Sequence, residues 1–373
     1  MSVVKEYDST YSAIDITTDN KVVSARGSQL DFHSGATTTT GYIPTFRDKT
    51  PITPSKLLLT GKNRNLLMLT PQKKNMLVRV DTETGKNLGE LELSFHAEIE
   101  EPFEQIVPVK KFAQLQAQNE MVRLVGTSRN SVFNLEWDTR TPMDQIVLGE
   151  DQRHTKQGRT HHFTSIATTS SGDMVVGDNE GVVRLFQSPG EKQLKRAKTN
   201  LNQLADRVRA VDVSADGDWV VWTTKEYLAV VNTKFVDPKT GEKHSGFHKS
   251  MGTARPDSLI LRIPQDIKDK HGITEVSFEG GRFDNGPYAA TSGLIIEEDL
   301  VVSTGPFIVR WNFRKVKLEY MKARPEDNCS LPPIIYRQAG NIVDKVFEYG
   351  QSKIVTALEA DINELDLDED ADE

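Results

Sequence analysis

The chain has 373 residues, of which 37% are hydrophobic and 27% charged, an ordinary soluble composition in a chain longer than the roughly 250–300 residues at which one conventional core stops growing. No stretch approaches the ~18 apolar residues of a membrane helix, the Met1-Ser2-Val3-Val4-Lys5 start has no signal-peptide core, and the single Cys329 excludes an internal disulfide or a Cys-x-x-Cys metal site. The net charge of −8 is concentrated at one end: residues 359–373 hold nine Asp or Glu and no Lys or Arg, so the body is close to neutral and this run reads as a disordered acidic tail.

From Tyr11 to His33, SAIDIT, KVVSA and SQLDF alternate as three short strands. Residues 34–56, with threonines from Thr37 to Thr40 and prolines at Pro44, Pro51 and Pro54, read as a long loop. LLLTGKNRNLLMLT, MLVRVDTETGK and LGELELS then form a meander in which Asp81 to Gly85 make a strand-exit turn. IVPVKKF, MVRLVGT, SVFNLEWD and DQIVLGE make the next unit. Its third strand ends in Trp137-Asp138, the only such dipeptide in the chain and the position at which Trp-Asp repeats carry it.

The clearest organisation lies between Phe163 and Val231. FTSIATTSSGDMVVGDNEGVVRLF and VRAVDVSADGDWVVWTTKEYLAVV superpose so that Gly172 falls on Gly217, Asp173 on Asp218 and Val175-Val176 on Val220-Val221. In each copy a Gly-Asp cluster supplies the hairpin turn. Several strands per period of about 40–45 residues are the mark of propeller blades. After these two units, a polar excursion separates YLAVVNT from LILRIP. A further unit follows with ITEVSF, AATSGLIIEED, LVVSTGPFIVRWNF and KLEYM, and a last one with IIYR, NIVDKVFEYG and KIVTAL, which reads one strand short. The expected fold is a single all-β, WD-repeat-like β-propeller over residues 1–358, with room for six to eight blades and seven the best fit. It is loop-rich at 34–56, carries an insertion at 233–258, and ends in the disordered acidic tail. The Tyr11 region is expected to complete the last blade and so leave no open edge.

Catalytic spacings are absent: no Gly-x-Ser-x-Gly, Gly-x-Gly-x-x-Gly, phosphate-loop or His-Glu-x-x-His sequence occurs. Two basic clusters, Lys192 to Lys198 and Arg314 to Lys317, have no interleaved aromatics for base stacking. Nucleic-acid recognition is therefore weakly signalled. The same residues suit solvated loops, a phosphate-recognising patch or a surface that reads an acidic protein.

The ordered segments FTSIATTSSGDMVVGDNEGVVRLF, KRAKTNL, VRAVDVSADGDWVVWTTKEYLAVVNTKF, TGEKHSGFHKSMG and FIVRWNFRKVK resemble the C-terminal propeller domain of the vacuolar import and degradation family, whose plant members are the defective-embryo-and-meristems proteins. NRNLLMLTP with VRVDTETGK, and FEGGRFD, are similar to the family's corresponding segments. The resemblance runs from about Leu57 to Lys317 and is strongest from Phe163 to Gly252. It implies a cytoplasmic or nucleocytoplasmic eukaryotic protein, neither an enzyme nor the carrier of a cofactor or metal, that works through other proteins in trafficking, vacuolar import or degradation. Longer members carry a region before the propeller, with a lipid-binding-like module in some, whereas this chain begins almost at the propeller. Asn200-Leu201-Asn202-Gln203-Leu204 stands where members tend to have a Pro-Gly-Leu-Gly turn.

The matching residues Arg196, Ala197, Lys198, Thr199, Gly246, Phe247, Met251 and Gly252 point to one partner-binding set: Lys195, Arg196, Lys198, Phe247, Met251 and Arg255. The alternative is that Gly246 and Gly252 turn the chain while Phe247 and Met251 staple the excursion to its blade. Two further readings remain: a small-molecule or catalytic site at the channel mouth, marked by convergent carboxylates or histidines, and binding of phosphorylated lipid or nucleic acid by the basic loops.

Overall fold

Seven antiparallel blades succeed one another along the chain, with two further two-stranded sheets in their connections, in the computed structural model, which describes residues 10–34, 37–60, 62–96, 99–100, 102–111, 121–138, 153–155, 162–188, 195–201, 206–284, 297–322, 331–349 and 351–368. Blade 1 is Tyr11–Ile16, Val22–Arg26, Gln29–Ser34 and Thr37–Tyr42; blade 2 is Lys56–Thr60, Asn65–Leu69, Met76–Asp81 and Asn87–Glu92. Blade 3 is Gln105–Pro108, Met121–Ser128, Ser131–Asp138 and Arg153–Thr155; blade 4 is Phe163–Thr168, Met174–Asp178, Val183–Phe186 and Thr199–Leu201. Blade 5 is Ala210–Val213, Trp219–Thr223, Leu228–Asn232 and Leu259–Leu261; blade 6 is Glu279–Phe283, Asp299–Thr304, Phe307–Asn312 and Ile334–Arg337. Blade 7 has three strands, Ile342–Phe347, Lys353–Leu358 and Ile362–Asp366.

A blade buries both faces against its neighbours, which is why central strands such as Asn65–Leu69, Met174–Asp178 and Asp299–Thr304 are buried at every position. The core is accordingly divided among the junctions. Val23 and Leu30 of blade 1 pack on Leu66 and Met68 of blade 2; Trp219 and Val221 of blade 5 pack on Phe283 and Leu300 of blade 6. Separate clusters of the same kind fill the other five interfaces, including that of blade 7 with blade 1.

The repeat between Phe163 and Val231 forms two successive blades, 4 and 5. Gly172 and Gly217 sit at φ +95° and +78° in the first hairpin turns of blades 4 and 5, a region costly for residues with a Cβ. Trp137-Asp138 closes the third strand of blade 3. Four local readings are corrected. The threonine run is no loop but the fourth strand of blade 1, paired with Gln29–Ser34, consistent with the preference of β-branched residues for strands. KLEYM lies in a helix, Phe313–Lys322, and IIYR is the outer strand of blade 6 instead of the opening of the last blade. ITEVSF only approaches blade 6, whose first strand is Glu279–Phe283. DQIVLGE lies outside the described residues, and Arg153–Thr155 serves as the fourth strand of blade 3.

The acidic segment also begins differently. Ile362–Asp366 is the third strand of blade 7, and Leu367, 2% exposed, packs with Val301, Ile308, Phe347 and Ile354. Apolar residues at 362, 365 and 367 supply the burial, and the Lys353–Glu364 ion pair at 2.5 Å relieves part of the charge. The propeller thus extends past residue 358, while residues 369–373 lie outside the described set. The seam differs too: Tyr11–Ile16 pairs with Val22–Arg26 inside blade 1 and adds no strand to blade 7. Instead the Tyr349 N–H donates to Asn20 Oδ1 at 2.9 Å, and Asn20 Nδ2 donates back to the Tyr349 carbonyl at 3.1 Å. Among the described residues no helix is long and apolar enough to cross a membrane.

Candidate functional site: the channel and one loop face

The innermost strands of all seven blades surround a central channel of about 500 Å³. Neighbouring inner strands are linked by polar side chains at every junction. Asp15 Oδ2 of blade 1 accepts the Leu59 N–H of blade 2 at 2.7 Å, and Lys56 of blade 2 donates to Gln105 Oε1 of blade 3 at 2.7 Å. Thr168 of blade 4 donates to the Pro108 carbonyl of blade 3 at 2.9 Å; Ser165 Oγ accepts the Val211 N–H of blade 5 at 3.1 Å. Asp212 Oδ2 of blade 5 accepts the Phe283 N–H of blade 6 at 2.9 Å. Lys345 of blade 7 donates to the Glu279 carbonyl and to Ser303 Oγ of blade 6 at 2.8 and 2.9 Å, and Asp344 Oδ2 accepts the Ile14 N–H at 3.1 Å.

Three of these residues share a local form. Asp15, Asp212 and Asp344 each follow an apolar residue on an inner strand, and each accepts its own successor's N–H as well as one from the next blade. The carboxylates that converge on the channel are therefore engaged in joining blades. Burial pushes the Asp15 carboxyl up to about 7, against the pull of the Leu59 and Ile16 N–H groups. Burial likewise brings Lys345 down to about 7, with the Arg282 charge adding to the effect. The Lys56 side chain is open to channel solvent yet enclosed by protein, and that enclosure, with Arg282 nearby, lowers its pKa despite the counteracting charge of Asp344. At one edge Lys111, which follows the first strand of blade 3, reaches across blade 4 to Asp212 Oδ1 at 3.1 Å and the Val213 carbonyl at 2.7 Å. At another, Arg209 pairs with Glu279 at 2.5 Å.

The residues singled out in the sequence lie elsewhere, between the third and fourth strands of blades 4 and 5. In an antiparallel blade those connections emerge on the same face as the first hairpin turn. Lys195, Arg196 and Arg255 are exposed and Lys198 half-buried. Phe247 and Met251 are 1% and 2% exposed, within the cluster that joins blades 4 and 5. They cannot present their side chains to a partner: of the two sequence readings, the staple is the one realised. Gly252 turns the chain at φ +52° with open space around it, but Gly246 is small for another reason, since a Cβ there would lie 2.4 Å from Met251 Cε and 3.0 Å from Leu185 Cδ1.

The excursion is folded back on its blades. It forms the hairpin Lys234–Val236 with Lys243–Ser245. Thr199 Oγ1 donates to the Gly246 carbonyl at 2.8 Å and accepts the Met251 N–H at 3.4 Å, and His248 meets Asp173 of the blade 4 turn at 3.1 Å. Two segments 47 residues apart, KRAKT and GFHKSMG, thus form one surface over a shared apolar anchor.

The VID27 C-terminal WD40-like domain matches residues 23–369. The chain belongs to the VID27 family. Vacuolar import and degradation protein 27 of Schizosaccharomyces pombe is 28% identical over 317 residues, covering 84% of this chain and 36% of that protein. The family member of the same name from Saccharomyces cerevisiae is 26% identical over 317 residues, covering 84% and 37%. The chain therefore spans little more than a third of the length of the curated relatives it matches. The crystal structure of the Myceliophteria thermophila Cps50 (Swd1) β-propeller domain superposes with a TM-score of 0.60 over 96% of this chain and 97% of that one, at 10% identity, a likeness of fold alone. The family match also runs beyond residue 358, in keeping with the third strand of blade 7.

Proposed function

We propose that this VID27-family propeller is a non-catalytic protein-interaction scaffold in intracellular trafficking, vacuolar import or protein degradation, acting in the cytoplasm or between cytoplasm and nucleus. The face carrying Lys195, Arg196, Lys198 and Arg255 receives an acidic segment of a partner protein. The carrying observation is the clamp at Thr199, which fixes the KRAKT connection of blade 4 onto the insertion of blade 5. It holds exposed cations from two blades on a rigid base, and loops on rigid scaffolds are where binding residues concentrate. Phe247 and Met251 have a supporting part: their burial removes the freedom that the loops would otherwise lose on binding.

The test is an affinity capture from cell extract with the intact chain and with Lys195→Glu/Arg196→Glu/Lys198→Glu, after matching their melting curves. A defined set of proteins lost in the charge-reversed chain, and weakened as salt rises, supports the reading. Capture of the same set by both chains overturns it. Direct binding of the intact chain to anionic vesicles with the same charge dependence would replace the protein partner by a membrane.

A further inference from the structure

The channel holds a cation that the blade-joining links do not use. Arg282 lies in the first strand of blade 6, between Gly281 and Phe283, half-buried and lining the channel. Among the described residues its guanidinium makes no hydrogen bond and no ion pair. Its charge acts on Lys56 of blade 2, Lys345 of blade 7 and Asp15 of blade 1. Two cations from two blades, Arg282 and Lys56, thus line one space, with Lys345 of blade 7 buried beside it and held by Glu279 and Ser303. The acidic groups around it are committed elsewhere: Asp344 to Ile14, Asp15 to Leu59 and Ile16, and Glu279 to Arg209.

Like charges gathered in an enclosed space repel one another more strongly than in bulk water. A guanidinium there with five donors and no acceptor is a group built for an oxyanion. The inner strand of the neighbouring blade 7 carries Val343, 43% exposed although it lines the same channel. At about 500 Å³ the channel falls within the ordinary range of small-molecule sites and has room for an organic group beside the anion. We propose that the central channel binds a small phosphorylated molecule, with Arg282 and Lys56 on the phosphoryl oxygens and Val343 against the organic part. No bond is made or broken in this role. The channel site is separate from the loop face and independent of the scaffold reading.

Calorimetric titration of the intact chain at constant ionic strength tests it, with phenyl phosphate, inorganic phosphate and sulfate as probes. The expected result is saturable binding, with phenyl phosphate tighter than inorganic phosphate because of the apolar wall. Affinity should fall at least tenfold in Arg282→Gln and in Lys56→Met, and fall less in Arg282→Lys, which keeps the charge. Lys195→Glu/Arg196→Glu should bind as the intact chain does. Arg282→Gln removes a cation that holds no link and should leave the chain folded, whereas Lys56→Met also gives up the Gln105 hydrogen bond; the melting curve of each variant without anion checks that both are folded. Heat that tracks ionic strength alone, affinity unchanged in Arg282→Gln, or loss confined to the Lys195→Glu/Arg196→Glu chain overturns the proposal.

Discussion

The Asp344 carboxylate of the last blade accepts the Ile14 N–H of the first at 3.1 Å, across 330 residues of sequence. It is the counterpart, at the seam, of the links from Asp15 to Leu59 and from Asp212 to Phe283. The ring is therefore closed by the device that joins blades 1 and 2 and blades 5 and 6, together with the apolar cluster of Tyr11, Ile14 and Val22 with Val346 and Val355.

Asp344→Ala should weaken that seam. It leaves the buried Ile14 N–H without its acceptor, a loss of about 1–3 kcal/mol. Asp344→Asn keeps one acceptor oxygen and should lose less. Urea denaturation of the three chains measures this, with the midpoint falling in the order wild type, Asn, Ala. Equal midpoints would assign closure to the apolar cluster and the Asn20–Tyr349 pair.

A larger effect is expected inside blade 4. Asp178 is fully buried, accepts the Glu180 and Val182 N–H groups at 2.9 Å each and pairs with Arg184 at 2.6 Å. Burial works against its ionisation, but the Val182 N–H and the Arg184 guanidinium outweigh that and hold the carboxyl below its usual range. Asp178→Ala strands a guanidinium that is itself buried, at a cost of about 3–5 kcal/mol. Its denaturation midpoint should fall well below that of Asp344→Ala. A midpoint within error of wild type would mean that Arg184 finds another partner.

The blades were legible because their constraints are local. Gly172 and Gly217 mark turns that need positive φ, and the alternation around them can be read within a few residues. The inner-strand linkers leave a fainter signal: Ile14-Asp15-Ile16 and Val211-Asp212-Val213 each place an acid inside an apolar run, where an unsatisfied carboxylate would be costly, while Asp344 follows Val343 but precedes Lys345. The channel cations left none. Lys56, Arg282 and Lys345 have no common spacing, and only closure of the ring brings them together. At the acidic end the density of charge masks the apolar residues Ile362, Leu365 and Leu367, which carry the third strand of blade 7.

Phe247→Ala should detach the loop face from its base. Removing a ring buried among Val213, Val231 and Leu185 costs about 3–5 kcal/mol, whereas Met251→Leu, which nearly conserves volume, should cost less than about 1.5 kcal/mol. Limited proteolysis locates the effect: cleavage of Phe247→Ala should appear first between residues 233 and 258. Cleavage spread evenly over the chain would show that the insertion is not a separately held unit.

Lys345 gives the fold a pH dependence of definite sign. Burial first, and the Arg282 charge second, bring its pKa in the folded chain to about 7, against an ordinary value of 10.5. Between those limits the unfolded chain holds a proton that the folded chain does not, and stability rises with pH wherever the unfolded state binds more protons. Below about 7 both states are protonated and the buried ammonium costs most. Lys345→Met removes the titration, so the stability of the wild type relative to the variant should climb from pH 7 to pH 10 and stay level from pH 5 to pH 6.5. Asp15, raised to about 7 by burial, acts in the adjoining window, from about 4 to 7, where the folded chain holds the extra proton and stability falls as pH rises. Urea midpoints across pH 5 to 10 separate the two groups. A constant difference between wild type and Lys345→Met above pH 7 would mean that water in the channel keeps the ammonium charged.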